Sequence, residues 1–202
     1  VISSFVAYSI YMGVFGFSHL FILPDLLFTD VRELFFYLIL SVLCATVGIF
    51  YVKTLRVTRD LFNRLPLPRY WIACCGGLLL GLLALVDTLV LGAVLGLLQQ
   101  GLGGELGLRT FLVLALLKIL ASSCTISSGS SGGVFGPSLF IGGMLGGAVG
   151  LLGQQYFPDI VQQPAAYIVV GMASFFGAVA NTPLAALILF IEISGSYHLL
   201  PP

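Results

Sequence analysis

Residues 129–143 read GSSGGVFGPSLFIGG and place glycines, serines and a proline between two apolar segments. Hydrocarbon strongly disfavours such irregular backbone, because every amide left without a hydrogen-bond partner costs several kcal/mol there. An irregular stretch persists at membrane depth only where it is buried in protein or lines a cavity. If the chain is a membrane protein, residues 129–143 therefore mark a functional loop.

The composition identifies the chain as an integral membrane protein. Of its 202 residues, 59% are hydrophobic and 8% are charged, whereas a soluble domain has about 25% charged residues. Apolar runs recur at 34–52, 70–86, 132–153 and 164–191, and the first and last are long enough to span a bilayer. We expect an all-α fold: a single polytopic membrane region over residues 1–202, with broken and re-entrant helices.

The charge balance and the cysteines exclude several classes of partner. Eight basic and eight acidic residues give a formal net charge of zero, which does not favour nucleic acid. The four cysteines lie in apolar runs without the spacing of metal ligands, so no metal site is expected. Nucleotide-binding motifs are also missing from the sequence, and we expect no cofactor.

Basic residues concentrate in the connection between the runs at 34–52 and 70–86. They are Lys53, Arg56, Arg59, Arg64 and Arg69. By the positive-inside rule, this loop, residues 53–69, lies in the cytoplasm. Binding of anionic lipid is an alternative role for the same residues.

Two segments depart from the pattern of simple membrane-spanning helices. Residues 88–98 are too few to cross and precede a glycine-rich turn at 99–107, which indicates a re-entrant or oblique segment. The run 164–191 is interrupted at Ala180-Asn-Thr-Pro183, because proline disfavours helix at the preceding residue. We expect half-helices at about 164–180 and 183–193, the second capped by Asn181 or Thr182. Transporters build substrate sites from such broken helices.

The opening stretch has the features of an anion site. Gly132 and Gly133 permit positive φ and close approach of another group, and a helix that begins after them leaves its first amides unpaired. With the partial positive charge of the helix end, the amides of Val134 and Phe135 can bind an anion weakly enough to release it. Pro137 falls in the first turn, where its missing N–H costs little. A tight connection between packed helices is the alternative.

The serines of this stretch have two interpretations. Ser130 and Ser131 can cap the following helix. A remote alternative is an intramembrane serine hydrolase, with one of them as nucleophile and His198 as base.

A second glycine pattern follows the loop. Gly142, Gly146 and Gly150 recur at a spacing of four, with Gly143 and Gly147 beside them. This is the small-xxx-small pattern by which membrane helices pack closely.

Two charged residues lie within apolar helices. Lys118, in the middle of a helix expected at 108–126, should face protein, water or an interface. It is either a structural cation or a charge that raises the anion concentration in a nearby pathway. Glu192 near the end of the last apolar run is either a capping or interhelical hydrogen-bonding residue or part of a proton relay.

The segment Gly133-Val-Phe-Gly-Pro137 resembles the Gly-x-Phe-x-Pro signature of the CLC family of chloride channels and chloride/proton exchangers. The basic connection, the helix with Lys118, the glycine-rich helix and the NTPL break follow in the family's order over essentially the whole chain. The resemblance implies the second half of a CLC-type inverted-repeat domain, truncated at both ends. It also implies chloride as the transported ligand and a homodimer that uses residues 1–16 and 183–193.

The resemblance assigns the central chloride site to residues 132–137, namely Gly132, Gly133, Val134, Phe135, Gly136 and Pro137, with the amides of Val134 and Phe135 as donors. Gly136 stands where the family often has alanine. The family's gating glutamate and pore tyrosine cannot be assigned here, and Tyr197 lies too close to Glu192 to be that tyrosine. Channel and exchanger thus both remain open, as does a broken-helix transporter for another small anion.

Overall fold

The computed structural model describes residues 2–16, 31–66, 68–87, 89, 91, 94–104, 106–130 and 132–194. Within these ranges the chain forms eight α-helices and no strand, which confirms the all-α prediction. The helices are α1 (Ile2–Phe15), α2 (Glu33–Asn63), α3 (Arg69–Val86), α4 (Val94–Leu102), α5 (Leu108–Ser127), α6 (Phe135–Tyr156), α7 (Pro164–Ala180) and α8 (Pro183–Ser194).

Three of the described helices, α2, α5 and α6, are long and apolar enough to cross a membrane. Helix α4 has only nine residues, so it extends about 14 Å and cannot cross, as expected of a re-entrant segment. It nevertheless includes residues 99–102, which we predicted to be part of a turn. The helix continues because Leu98 and Leu102 are buried, and the turn follows at Gly104, whose φ is +77°.

Helix α2 is longer than predicted. Its 31 residues continue through Lys53, Arg56 and Arg59 to Asn63, so most of the predicted loop 53–69 is helical. Residues 53–65 contain neither glycine nor proline. The continuation of the helix through them buries Phe62. At about 1.5 Å per residue the helix exceeds the roughly 30 Å of hydrocarbon, and one end projects beyond it.

Helix α6 is the centre of the fold, and its glycines determine how closely α7 approaches. Cβ atoms built at Gly142, Gly146 and Gly150 would meet backbone atoms of Gly171, Tyr167 and Pro164, respectively. At Gly146 the atom is the carbonyl oxygen of Tyr167, and at Gly142 it is that of Gly171. The two backbones are therefore in direct contact along this face, which only glycine permits.

The neighbouring glycines of α6 face other helices. A Cβ at Gly143 would meet the side chain of Leu98 in α4, and one at Gly147 would meet the ring of Phe111 in α5. Helix α6 is thus enclosed by α4, α5 and α7, and its residues from Ser138 to Ala148 are buried. This packing fixes the position of the loop that leads into it.

The predicted break between two half-helices is confirmed. Asn181 caps α7 in the left-handed conformation, with φ 56° and ψ 35°. The prediction placed Asn181 at the start of α8, but its N–H bonds to the carbonyl of Gly177 at the end of α7. The carbonyl of Thr182 accepts the first bond of α8, from Ala186 N at 3.0 Å.

Position 181 should tolerate glycine and reject valine. Asn181→Val is expected to lower the free energy of unfolding by about 1–2 kcal/mol, because a β-branched residue clashes with its own backbone at positive φ. Asn181→Gly, the matched control, should change it little, since glycine adopts this conformation freely. Thermal unfolding of the full-length protein in detergent compares the two, and equal losses would contradict the left-handed cap.

Candidate anion site

The backbone at the start of α6 presents free hydrogen-bond donors. Val134 is the N-cap, with φ −77° and ψ −19°, and the first hydrogen bond runs from Ser138 N to Val134 O at 3.0 Å. The amides of Val134, Phe135 and Gly136 precede this bond. No carbonyl in the described part of the chain accepts a hydrogen bond from them. Pro137 is the third helical residue and contributes no donor.

The loop reaches α6 by a different conformation from the one predicted. Gly132 and Gly133 do not have positive φ, and the left-handed residue is Gly129, with φ +86°. Gly129 follows the C-cap of α5, Ser128, where glycine at this φ commonly ends a helix. Nor does another group closely approach the two later glycines: the nearest atom to a Cβ at Gly132 is Ile126 Cγ1 at 3.8 Å.

The loop is exposed where it joins α6. Gly132 and Gly133 are exposed, and the side chains of Val134 and Phe135 are 37% and 43% exposed. The ring of Phe135 meets that of Phe176 in α7 edge to face, with centroids 5.2 Å apart. Helix α7 therefore fixes the start of α6 while the donors remain accessible within this chain.

A buried serine stabilises the N-cap of α6. Ser138 has no exposed surface, and its Oγ donates to the carbonyl of Val134 at 2.7 Å. The hydroxyl proton is thus used to hold the carbonyl of the N-cap residue. Our sequence analysis did not assign Ser138. The available signal was a serine four residues after the N-cap, a spacing at which serine bonds back to the carbonyl of residue i−4.

Lys118 lies beside the beginning of α6. Its Nζ is 5.3 Å from the centroid of the Phe140 ring, which lies in the second turn of that helix. This is a cation–π contact, and the side chain is half-buried. The geometry thus places the ammonium group of Lys118 next to a side chain from the second turn of the helix whose start carries the amides. Glu192 falls in the last part of α8, residues 189–194, of which only the backbone is described.

The described residues contain no catalytic triad that would support the serine-hydrolase alternative. Ser130 is exposed, and its hydroxyl lies 3.5 Å from that of Ser128, which in turn donates to the carbonyl of Thr125. In the part of the chain that the structure describes, no side chain caps α6, so the predicted capping by Ser130 is wrong. Ser131 and His198 lie outside the described residues, as does Tyr197.

Comparisons with known proteins agree with this architecture. A family model described as a voltage gated chloride channel matches residues 1–202. The H(+)/Cl(-) exchange transporter ClcA of Vibrio vulnificus is 27% identical over 207 residues, which cover all of this chain and 44% of that protein. ClcA of Yersinia pestis is 28% identical, with 42% of its length covered. The chain spans less than half the length of these relatives.

The fold also matches a solved structure. A slow cyanobacterial Cl-/H+ antiporter superposes with a TM-score of 0.86 at 24% sequence identity, over 96% of this chain and 46% of that one. The match confirms the fold, and this chain corresponds to about half of that one. With the family model matching from the first residue to the last, the chain belongs to the voltage-gated chloride channel family, the CLC family.

Proposed function

We propose that the protein containing this chain exchanges chloride for protons across a membrane and binds chloride at the start of α6. The observation that carries the proposal is the set of free, accessible amides of Val134, Phe135 and Gly136 inside the segment Gly133–Pro137. The relatives named as H(+)/Cl(-) exchange transporters favour exchange over a channel. The present chain supplies one part of the pathway.

The chemistry of this site suits a small anion that must leave again. Free amides and the helix dipole together provide about half a positive charge, directed at the ligand, without a formal charge that would hold it. Conduction or turnover requires such moderate binding. We propose that Lys118, beside Phe140, raises the local chloride concentration through its longer-range field.

Orientation and assembly are also proposals. The basic segment 53–69 favours a cytoplasmic position for the C-terminal end of α2. Helices α1 and α8 carry large exposed apolar side chains, including Phe5 and Phe15 in α1 and Leu184 and Ile188 in α8. We propose that these two helices contribute to a homodimer interface, where such side chains would be covered.

Reconstitution tests the proposed function. The full-length protein is placed in liposomes loaded with chloride, and chloride release and external pH are recorded together. We expect chloride efflux to drive proton uptake against a proton gradient. Chloride flux without proton movement would show that the protein is a channel and not an exchanger. No chloride flux, with a small organic anion transported instead, would support the alternative transporter.

A further inference from the structure

The C-terminal part of α2 displays a row of cations. The side chains of Lys53, Arg56, Arg59 and Arg64 are all exposed. In the described part of the chain none of them has an ion-pair partner. Asp60, also exposed, is the only acidic residue between Lys53 and Arg64. Four cations and one carboxylate leave this surface with a net positive charge available to a partner.

The opposite side of the same helical segment is fixed to the protein. Tyr51 and Phe62 are buried, and Ser127 Oγ at the end of α5 donates to the carbonyl of Leu55 at 3.1 Å. The cations are therefore carried by a helix that is packed against the protein and not by a flexible segment. A fixed array loses less conformational entropy when it binds than a mobile one.

Apolar and aromatic side chains lie among and beside these cations. Val57 and Leu61 are 59% and 63% exposed. Five residues after Arg64, α3 begins, and its Tyr70 and Trp71 are also exposed, with ring centroids 6.2 Å apart. Cations interleaved with apolar and aromatic groups are typical of the interface between hydrocarbon and headgroups.

The length of α2 places the first of these cations at headgroup depth. The uncharged stretch 34–52 extends about 29 Å, which is close to the thickness of the hydrocarbon. Lys53 then lies at its boundary and Arg56 about 5 Å beyond it, in the headgroup layer. Arg59 and Arg64 follow at about 9 and 16 Å, and their long side chains point back toward the headgroups. Their guanidinium groups are planar donors suited to phosphate oxygens.

We infer that this surface, formed by Lys53, Arg56, Arg59 and Arg64 with Val57 and Leu61, binds the phosphodiester headgroups of anionic phospholipids in the adjacent leaflet. Topology alone accounts for an excess of cations. It does not require them to lack ion-pair partners among the described residues, to lie on a helix packed against the protein, or to be interleaved with exposed apolar residues. The inference is independent of chloride transport, and either can fail without the other.

Lipid binding to the full-length protein in detergent tests the inference. Native mass spectrometry measures retention of phosphatidylglycerol and of phosphatidylcholine, chosen as anionic and zwitterionic probes. Each cation near an anionic surface contributes roughly fivefold in affinity, so R56Q/R59Q/R64Q should weaken phosphatidylglycerol binding by about 100-fold. Binding of phosphatidylcholine should stay unchanged.

Arg109 supplies the matched control. It is exposed and lies at the start of α5, the end of that helix opposite to Ser127, which contacts α2. R109Q should bind phosphatidylglycerol like the unaltered protein, and replacement of the three arginines by lysine should retain most of the binding. Inorganic phosphate at millimolar concentration should not displace the lipid, because it lacks the apolar chains.

Several outcomes would overturn the inference. They are equal retention of the two lipids by the unaltered protein, unchanged phosphatidylglycerol binding by the triple variant, and displacement by inorganic phosphate. If the triple variant does not fold, the inference is tested on the unaltered protein by measuring phosphatidylglycerol retention at low and high salt. Headgroup binding through exposed charges must weaken as salt rises. Phosphatidylglycerol retention that is identical at low and high salt would refute it.

Discussion

Gly146→Ala is expected to destabilise the full-length protein by about 3 kcal/mol, at the upper end of the usual cost of overpacking. A Cβ at this position would overlap the carbonyl oxygen of Tyr167 and approach Ile168 Cα to 2.9 Å. These are backbone atoms, which cannot rotate out of the way as a side chain can. Helix α7 would have to move as a unit, and its other contacts with α6 would be lost.

Gly48→Ala is the matched control for this change. Gly48 is also a buried helical glycine that faces α7, but a Cβ there would lie 3.5 Å from Val179 and 3.7 Å from Ala178. These are ordinary van der Waals distances, and alanine is favoured over glycine within a helix by about 1 kcal/mol. We therefore expect Gly48→Ala to be neutral or slightly stabilising.

Thermal unfolding in detergent, followed by size-exclusion chromatography of the heated samples, measures both variants. If Gly146→Ala unfolds at the temperature of the unaltered protein, the backbone contact between α6 and α7 is wrong. The chloride affinity of the Gly146→Ala protein that remains folded should also fall. Phe135 rests on Phe176 of α7, so a displaced α7 no longer holds the amides of the site in place.

Features set by local sequence were predictable. Proline in the interior of an apolar run interrupts the helix that precedes it, so the break before Pro183 follows from the sequence alone. A four-residue spacing puts Gly142, Gly146 and Gly150 on one helical face, which indicates close packing before any partner is known. The start of a helix near Phe135 follows in the same way from the change between polar glycine-rich and apolar sequence.

Features that depend on tertiary contacts were not predictable. Helix α2 continues past Lys53 because its C-terminal part packs on the protein through Phe62 and Leu55. Three glycines in one loop, Gly129, Gly132 and Gly133, offered positions for positive φ, and the end of α5 selected Gly129. The bond from Ser138 to the Val134 carbonyl requires the exact start of α6, which sequence patterns locate only to within one or two residues.

Val134→Pro is expected to weaken chloride binding by roughly 10- to 100-fold, because it removes one backbone donor from the proposed site. A hydrogen bond to a charged partner contributes about 1.5–3 kcal/mol, which corresponds to this range. The substitution suits the local backbone: the φ of Val134 is −77°, within the range of proline. Its N–H has no acceptor in the described residues, so no internal hydrogen bond is lost. Glycine at position 133 also relaxes the restriction that proline places on its predecessor.

Val134→Ala isolates the contribution of the amide. It shortens the same exposed side chain but retains the N–H, and its chloride affinity should remain close to that of the unaltered protein. Isothermal titration of the full-length protein with chloride measures the affinity of each variant, and thermal unfolding verifies that both are folded. A folded Val134→Pro protein that binds chloride as tightly as Val134→Ala would show that this amide is not a ligand. The donors would then have to be sought elsewhere, first at Phe135 and Gly136. Weakening in both variants alike would instead indicate that the valine side chain shapes the site.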